Sequence, residues 1–176
     1  MNKNTDPSIF DIEKTLQTMA GELTTLVQQR QIDLQHLTVV GIRTGGVWIA
    51  ERLHKLMNLS TQLGFLDISF YRDDFTRLGL NPEVKPSSLP LDLDDRHVIL
   101  VDDVLHTGRT IRAALNELFD YGRPASILLA VLIKRSGQEL PIAPDVFGKL
   151  MDLREGEQIK LSGPEPLELA MVKSAR

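Results

Sequence analysis

An α/β fold with a central, mostly parallel sheet flanked by helices is what this sequence predicts, on three observations. Short apolar, β-branched runs alternate with segments of helical period, two of those runs enter the next helix through a glycine turn, and the runs are apolar on consecutive positions rather than alternate ones. At 176 residues, 42% of them apolar, the chain is long enough for one well-formed core and short for two, so a single domain over residues 1–176 is expected.

Ser8 and Asp11 resemble a capping box, and Ile9, Ile12, Leu16, Met19, Leu23 and Leu26 follow at spacings of three and four, which predicts an amphipathic helix to about Arg30. Gly21 in its middle costs roughly 1 kcal/mol against Ala, so it either allows a close contact or is unselected. Thr38 to Ile42 reads as a strand, Thr44-Gly45-Gly46 as the turn, and Val47, Ile49, Ala50, Leu53, Leu56 and Met57 as the apolar face of a helix. Leu63 to Phe70 reads as a second strand. Tyr71 to Arg96, with Pro82, Pro86 and Pro90, lacks helical period and reads as a long mobile connection, a type uncommon unless functional.

His97 to Val101 is a buried-type strand running into Asp102-Asp103, followed by a glycine turn and a helix whose Ile111, Ala114, Leu115, Leu118 and Phe119 line one face, closed by Gly122. Ala125 to Ile133 is another apolar strand, and the proline-containing C-terminal part reads as irregular structure with small strands. In such a fold ligands bind at the carboxyl ends of the strands, where both glycine turns fall.

Composition narrows the function. No run of about 18 apolar residues occurs and MNKNTDPSIF has neither a basic region nor an apolar one, so no membrane span or signal peptide is indicated and a cytoplasmic location is expected. With no Cys, disulfides, thiolate metal sites and thiol nucleophiles are excluded. A net charge of −4 argues against nucleic-acid binding unless a local basic patch forms.

The chemistry concentrates between Val98 and Thr110. Two adjacent carboxylates about 6 Å apart repel by roughly 3 kcal/mol at an effective dielectric of about 20, so Asp102 and Asp103 call for a cation or hydroxyl donors. Thr107, Gly108 and Thr110 follow where a helix begins: the glycine permits close backbone approach, and the amides and two hydroxyls are donors for a phosphate. A compound with vicinal hydroxyls and a 5-phosphate matches both ends. Either half alone is as well read as a solvated strand end or a helix cap. A receiver domain, with its acidic pair after the first strand, and a P-loop, which needs a Gly-Lys-Ser/Thr ending, both fit poorly.

VILVDDVLHTGRT resembles the PRPP-binding signature of type I phosphoribosyltransferases: four apolar residues, two acids, three variable residues and Thr-Gly-x-Thr. GIRTGGVWIAERL, LDISFYRDDF, RTIRAALNELFDYGRPASI and ELPIAPDVFGK are similar to the PyrR family of pyrimidine operon regulators with uracil phosphoribosyltransferase activity, over about residues 10 to 165. The resemblance implies the type I fold with a small hood over about residues 135–176. It implies that Asp102 and Asp103 contact the ribose hydroxyls, and Mg²⁺ indirectly, while His106, Thr107, Gly108, Arg109 and Thr110 cradle the 5-phosphate. Arg43, Thr44 and Gly45 match the pyrophosphate loop, where relatives often carry a basic residue at the position of Gly45. Tyr71-Arg72-Asp73-Asp74 opens a loop expected to close over the site, with Arg72 a pyrophosphate contact or, equally, part of a surface ion cluster.

The reaction so implied joins uracil and PRPP into UMP and pyrophosphate with Mg²⁺, the base held by the C-terminal hood near Leu132 to Arg135, with Leu132, Ile133 and Lys134 as its residues, through backbone groups. Relatives commonly carry an acid at Lys134 and Gly-His-Arg at Ser136-Gly137-Gln138. The resemblance also implies a homo-oligomer, a dimer or larger, and UMP-dependent binding of leader RNA. Positions commonly His, Arg and Arg in RNA-binding relatives are here Gly21, Gln138 and Ala143, with Lys149 retained. Losing such contacts, at about 1.5 to 3 kcal/mol each, weakens the expectation of RNA attenuation. A regulator with vestigial catalysis and a purine-type transferase stay open, because the PRPP signature does not specify the base.

Overall fold

The computed structural model describes residues 10–68, 87–90, 92–154 and 156–173. Asp11 caps the first helix, α1 (Ile12–Gln29), by accepting a hydrogen bond from the Lys14 amide at 3.0 Å. Ser8, expected to begin a capping box, and Ile9 lie outside the described residues. Ile12, Leu16, Met19, Leu23 and Val27 form the buried stripe. Gly21 faces open space, so no close contact explains it.

After a short 3-10 turn (Leu34–His36) come β1 (Leu37–Ile42), α2 (Gly45–Leu56), β2 (Gly64–Leu66), β3 (His97–Leu105), α3 (Arg109–Asp120), β4 (Ser126–Arg135) and β5 (Val146–Met151). The five strands pair in the order β2-β1-β3-β4-β5, every pair parallel. A separate antiparallel hairpin, β6 (Glu157–Ser162) and β7 (Glu168–Lys173), ends the described chain.

Both faces of the sheet are covered, which is why its strands are apolar on consecutive residues. Ile99 and Val101 of β3 pack with α1 and α2, whereas Val98 and Leu100 pack with Ile111, Ala114 and Leu118 of α3. Phe119, expected on the apolar face of α3, is 56% exposed, because the eighth position beyond Ile111 has rotated off the buried stripe. Tyr121 caps α3, and Gly122, at φ 154°, follows it.

Three other expectations change. Among the described residues the second strand is three long, β2 pairing with Val40, Gly41 and Ile42 on one side and bridging Phe65 to Ser88 on the other. Ser69 to Pro86 lies outside the described residues, and the part of the long connection that is described, residues 87–96 without 91, carries a fully buried Leu93. The segment expected to form a hood divides: β5 joins the central sheet beside β4, and only β6–β7 stands apart from it. Edge position hides β5 in the sequence, since the outer half of VFGKLM meets solvent and the apolar pattern is broken by Gly148 and Lys149.

Candidate functional site at the β1–β3 switch point

The strand order reverses direction between β1 and β3: the chain moves outward from β1 to β2, then returns to the other side of β1 to lay down β3. Crevices at carboxyl ends beside such a reversal are where open α/β sheets bind ligands. The turns 43–45 and 106–108 both lie at this edge, after β1 and after β3.

Pairing of β1 with β3 stops at Gly41 and Val101, while β3 continues against β4 as far as Leu105. Asp102 and Asp103 therefore lie within the strand, not at its end as the sequence suggests, on a stretch whose β1 side has opened. Alternation sends Asp102 toward the α3 side with Leu100, and Asp103 toward the α2 side with Val101, so the carboxylates diverge. Asp102 is 5% exposed and its Oδ1 accepts the Asp103 amide at 3.0 Å; the Asp103 Oδ1 accepts the Val104 amide at 3.0 Å.

Glycines bring α2 down onto these acids. A Cβ on Gly45 would stand 2.4 Å from Asp103 Oδ2, and one on Gly46 would stand 2.5 Å from the Val101 carbonyl oxygen. At Gly46 only a residue without a side chain lets the first turn of α2 touch the β3 backbone, whereas Gly45 faces the Asp103 side chain. Neither Thr44 nor Gly108, the N-cap residues of α2 and α3, makes a side-chain capping bond of the kind Asp11 makes on α1, so two positive helix ends begin at this edge of the sheet. The Arg43 guanidinium stacks on Phe65, 5.5 Å from the ring centre, and its buried Nε has no protein partner among the described residues.

The turn after β3 is fastened to the segment following β4. The Thr107 carbonyl accepts the amides of Glu139 and Leu140 at 3.1 and 3.0 Å, Arg109 pairs with Glu139 at 2.9 Å, and Thr107 Oγ1 accepts the Arg109 amide at 3.3 Å. Gly108 adopts φ 92°, the left-handed region that favours glycine, with Leu140 Cβ 3.2 Å from where its own would be. Thr110 is the second residue of α3 and half-buried. Partial burial, helped by the charge of Arg135 and opposed by Glu139, holds the His106 imidazole below its ordinary pKa of 6.5.

Among the remaining sequence-predicted residues, Leu132 and Ile133 are fully buried, and Ile133 is in register with both Val104 and Lys149. Lys134 pairs with Leu105 and holds its ammonium 5.4 Å from the Phe147 ring centre. Arg72, with Tyr71, Asp73 and Asp74, lies outside the described residues.

A phosphoribosyl transferase domain model matches residues 8–159. The Bifunctional protein PyrR of Pseudomonas paraeruginosa is 54% identical over 154 residues, covering 88% of this chain and 89% of that protein. The chain belongs to the PyrR family. Its counterpart from Nitrosococcus oceani is 62% identical over 135 residues, 76% of each chain, and that from Pseudomonas savastanoi pv. phaseolicola is 51% identical over 164, covering 93% and 95%. The hypoxanthine phosphoribosyltransferase of Trypanosoma cruzi superposes with a TM-score of 0.68 at 14% identity, covering 93% of both chains, which establishes the likeness of fold. As a PyrR-family chain the protein thus has the type I phosphoribosyltransferase fold, and pentosyl transfer is the chemistry its domain supports. No helix among the described residues is long and apolar enough to cross a membrane.

Two features of this PyrR-family site were only partly anticipated from the sequence, which placed Arg135 merely at the end of the segment expected near the base. Arg135 ends β4 close enough to His106 to depress its pKa, and its Nε is buried without a protein partner among the described residues. A cation at the carboxyl end of a strand was the available signal. Gly46 was read only as part of a turn, and its closeness to Val101 depends on how α2 packs.

Proposed function

We propose that the protein is a uracil phosphoribosyltransferase, converting uracil and PRPP to UMP and pyrophosphate. The observation that carries this reading is the seating of Gly45 and Gly46 directly on Val101 to Asp103, which brings the loop matched to the family's diphosphate site against the acids matched to its ribose hydroxyls. The bond from C1 of the ribose to the diphosphate oxygen breaks, the bond from C1 to uracil N1 forms, and the N1 proton leaves to solvent or the departing diphosphate. No protein nucleophile is required.

In this reading Asp102 and Asp103 accept from the ribose hydroxyls and stabilise positive charge developing on the sugar. Amides of 106–110 with Thr107 and Thr110 hold the 5-phosphate, and Arg43 with the amides of Thr44 and Gly45 holds the diphosphate. Arg72 is assigned a diphosphate contact by family resemblance alone. Uracil meets the end of β4 through main-chain groups, because the Leu132 and Ile133 side chains are enclosed in the core. Asp102 and Asp103 are hard oxygen donors of the kind Mg²⁺ takes and would meet it indirectly, through ribose hydroxyls or water. Bound there, Mg²⁺ would neutralise charge on the leaving group.

Purified protein with Mg²⁺ and PRPP should release pyrophosphate with uracil and not with hypoxanthine or guanine. Turnover with a purine alone, or with no base at all, rejects the assignment.

The name Bifunctional protein PyrR carried by the relatives favours a second role, nucleotide-dependent regulation through RNA. Two local facts oppose it: Gly21 presents no side chain on the exposed face of α1, and the Gln138 amide donates to the Leu140 and Ile142 carbonyls at 2.7 and 2.5 Å. A titration of pyrimidine-leader RNA with and without UMP decides it; UMP-enhanced binding with a steep salt slope would establish the regulator.

A further inference from the structure

The β6–β7 hairpin packs on the α1–α2 side of the sheet: Leu161 is buried in the core cluster that holds Ile49 and Leu53, and Ile159, Leu167 and Leu169 pack against it. Its turn lies on α2. A Cβ on Gly163 would stand 3.0 Å from Trp48 Cε3, so the main chain of the turn rests against the indole. One helical turn further along, Arg52 donates from Nη2 to the Pro164 carbonyl at 3.0 Å and from Nε to Glu13 of α1 at 3.0 Å.

The inner side of the same helical turn is equally tight. A Cβ on Gly41 would stand 2.7 Å from Val47 Cα, and one on Gly46 would stand 2.5 Å from the Val101 oxygen. The first turn of α2, Gly45 to Trp48, is thus gripped between β1 and β3 beneath and the hairpin turn outside. This turn continues directly from Arg43-Thr44.

We propose that the hairpin turn, residues 162–167, is a clamp that positions the 43–45 loop for the diphosphate, with Trp48 as the positioning residue and Arg52 as its tether. The proposal rests on the assignment of 43–45 to the diphosphate, and it gives the C-terminal hairpin a task on the leaving-group side of the site in place of base recognition. Amides that hold a diphosphate lose their effect with small displacements, since about 1 Å of misplacement costs on the order of a hundredfold. Loosening the outer contact should therefore weaken the hold on the diphosphate and spare the base.

The test uses the full chain and its sole tryptophan. Trp48→Ala should raise KM for PRPP and the inhibition constant of pyrophosphate about tenfold, leave KM for uracil within about twofold, and be largely restored in Trp48→Phe. Arg52→Ala, which removes the tether to Pro164 and Glu13 and leaves the indole in place, should shift the same two constants in the same direction. In the unaltered protein, pyrophosphate with Mg²⁺ should change Trp48 emission, and uracil should not. The clamp is overturned if pyrophosphate inhibits turnover without altering Trp48 emission, or if the variants raise KM for PRPP and uracil in equal proportion. Pyrophosphate that neither inhibits nor binds by calorimetry would instead overturn the loop assignment and the clamp with it, which distinguishes the two failures.

Discussion

Asp103 occupies the space that any side chain at position 45 would enter, so the acid and the glycine constrain each other. Gly45→Ala should push the Asp103 carboxylate aside and lower kcat by no more than about tenfold, measured as pyrophosphate release at saturating PRPP and uracil, because the atoms it meets are a movable side-chain end. Asp103→Asn leaves the volume nearly unchanged but removes the charge facing the sugar, and should lower kcat further, by about a hundredfold. Gly108 is constrained by its own backbone: at φ 92° a Cβ is strained even before it meets Leu140, so Gly108→Ala should cost roughly 1 to 3 kcal/mol in chemical denaturation. His106 adds a pH signature. Burial and Arg135 make the folded protein hold the imidazole proton less tightly than the unfolded chain does, so this contribution to stability is complete above 6.5 and is lost as pH falls from there through the lowered folded value. In His106→Gln the melting temperature should lose that part of its fall with acid.

Secondary elements depend on a few anchors between distant segments. Asp145, just before β5, accepts the Leu129 amide at 2.8 Å with one carboxylate oxygen and Arg30 at 3.0 Å with the other, joining β4 to the end of α1. Asp145→Ala leaves the Leu129 amide without this partner and should destabilise the protein by about 1 to 3 kcal/mol, read from a denaturant midpoint. On α3, burial pushes the Glu117 carboxyl up from its ordinary 4.5; Asp67 and Asp120 add to this, and the hydrogen bond with Ser87 opposes it. The folded state binds this proton more tightly, so stability is greatest below 4.5 and declines as pH rises through the raised value. A melting profile against pH should flatten on its alkaline side in Glu117→Gln. The helices were legible because their buried stripes recur within a few residues: Leu16, Met19 and Leu23 in α1, Ile111, Ala114 and Leu118 in α3. β5 was not, because an edge strand shows only half a pattern, and Leu93 was hidden in a proline-rich connection where no period marks a core residue.

Across the molecule, function follows from where the strand order reverses. Both glycine turns lie at the carboxyl edge of the sheet, after β1 and after β3, and the motif 98–110 was readable because its apolar run, acids and phosphate-type turn are contiguous. Local sequence determined β1, β3, β4, the helices and the pairing of acids with an anion-binding turn, since each rests on residues a few positions apart. Folding alone decided that Gly45 lies on Asp103, that Arg135 stands near His106, that β5 joins the sheet while β6–β7 leaves it, and that Gly163 rests on Trp48. Those contacts join residues far apart in the chain, and no periodicity or turn signal specifies them; they arise from the parallel register and from helices packed on both faces.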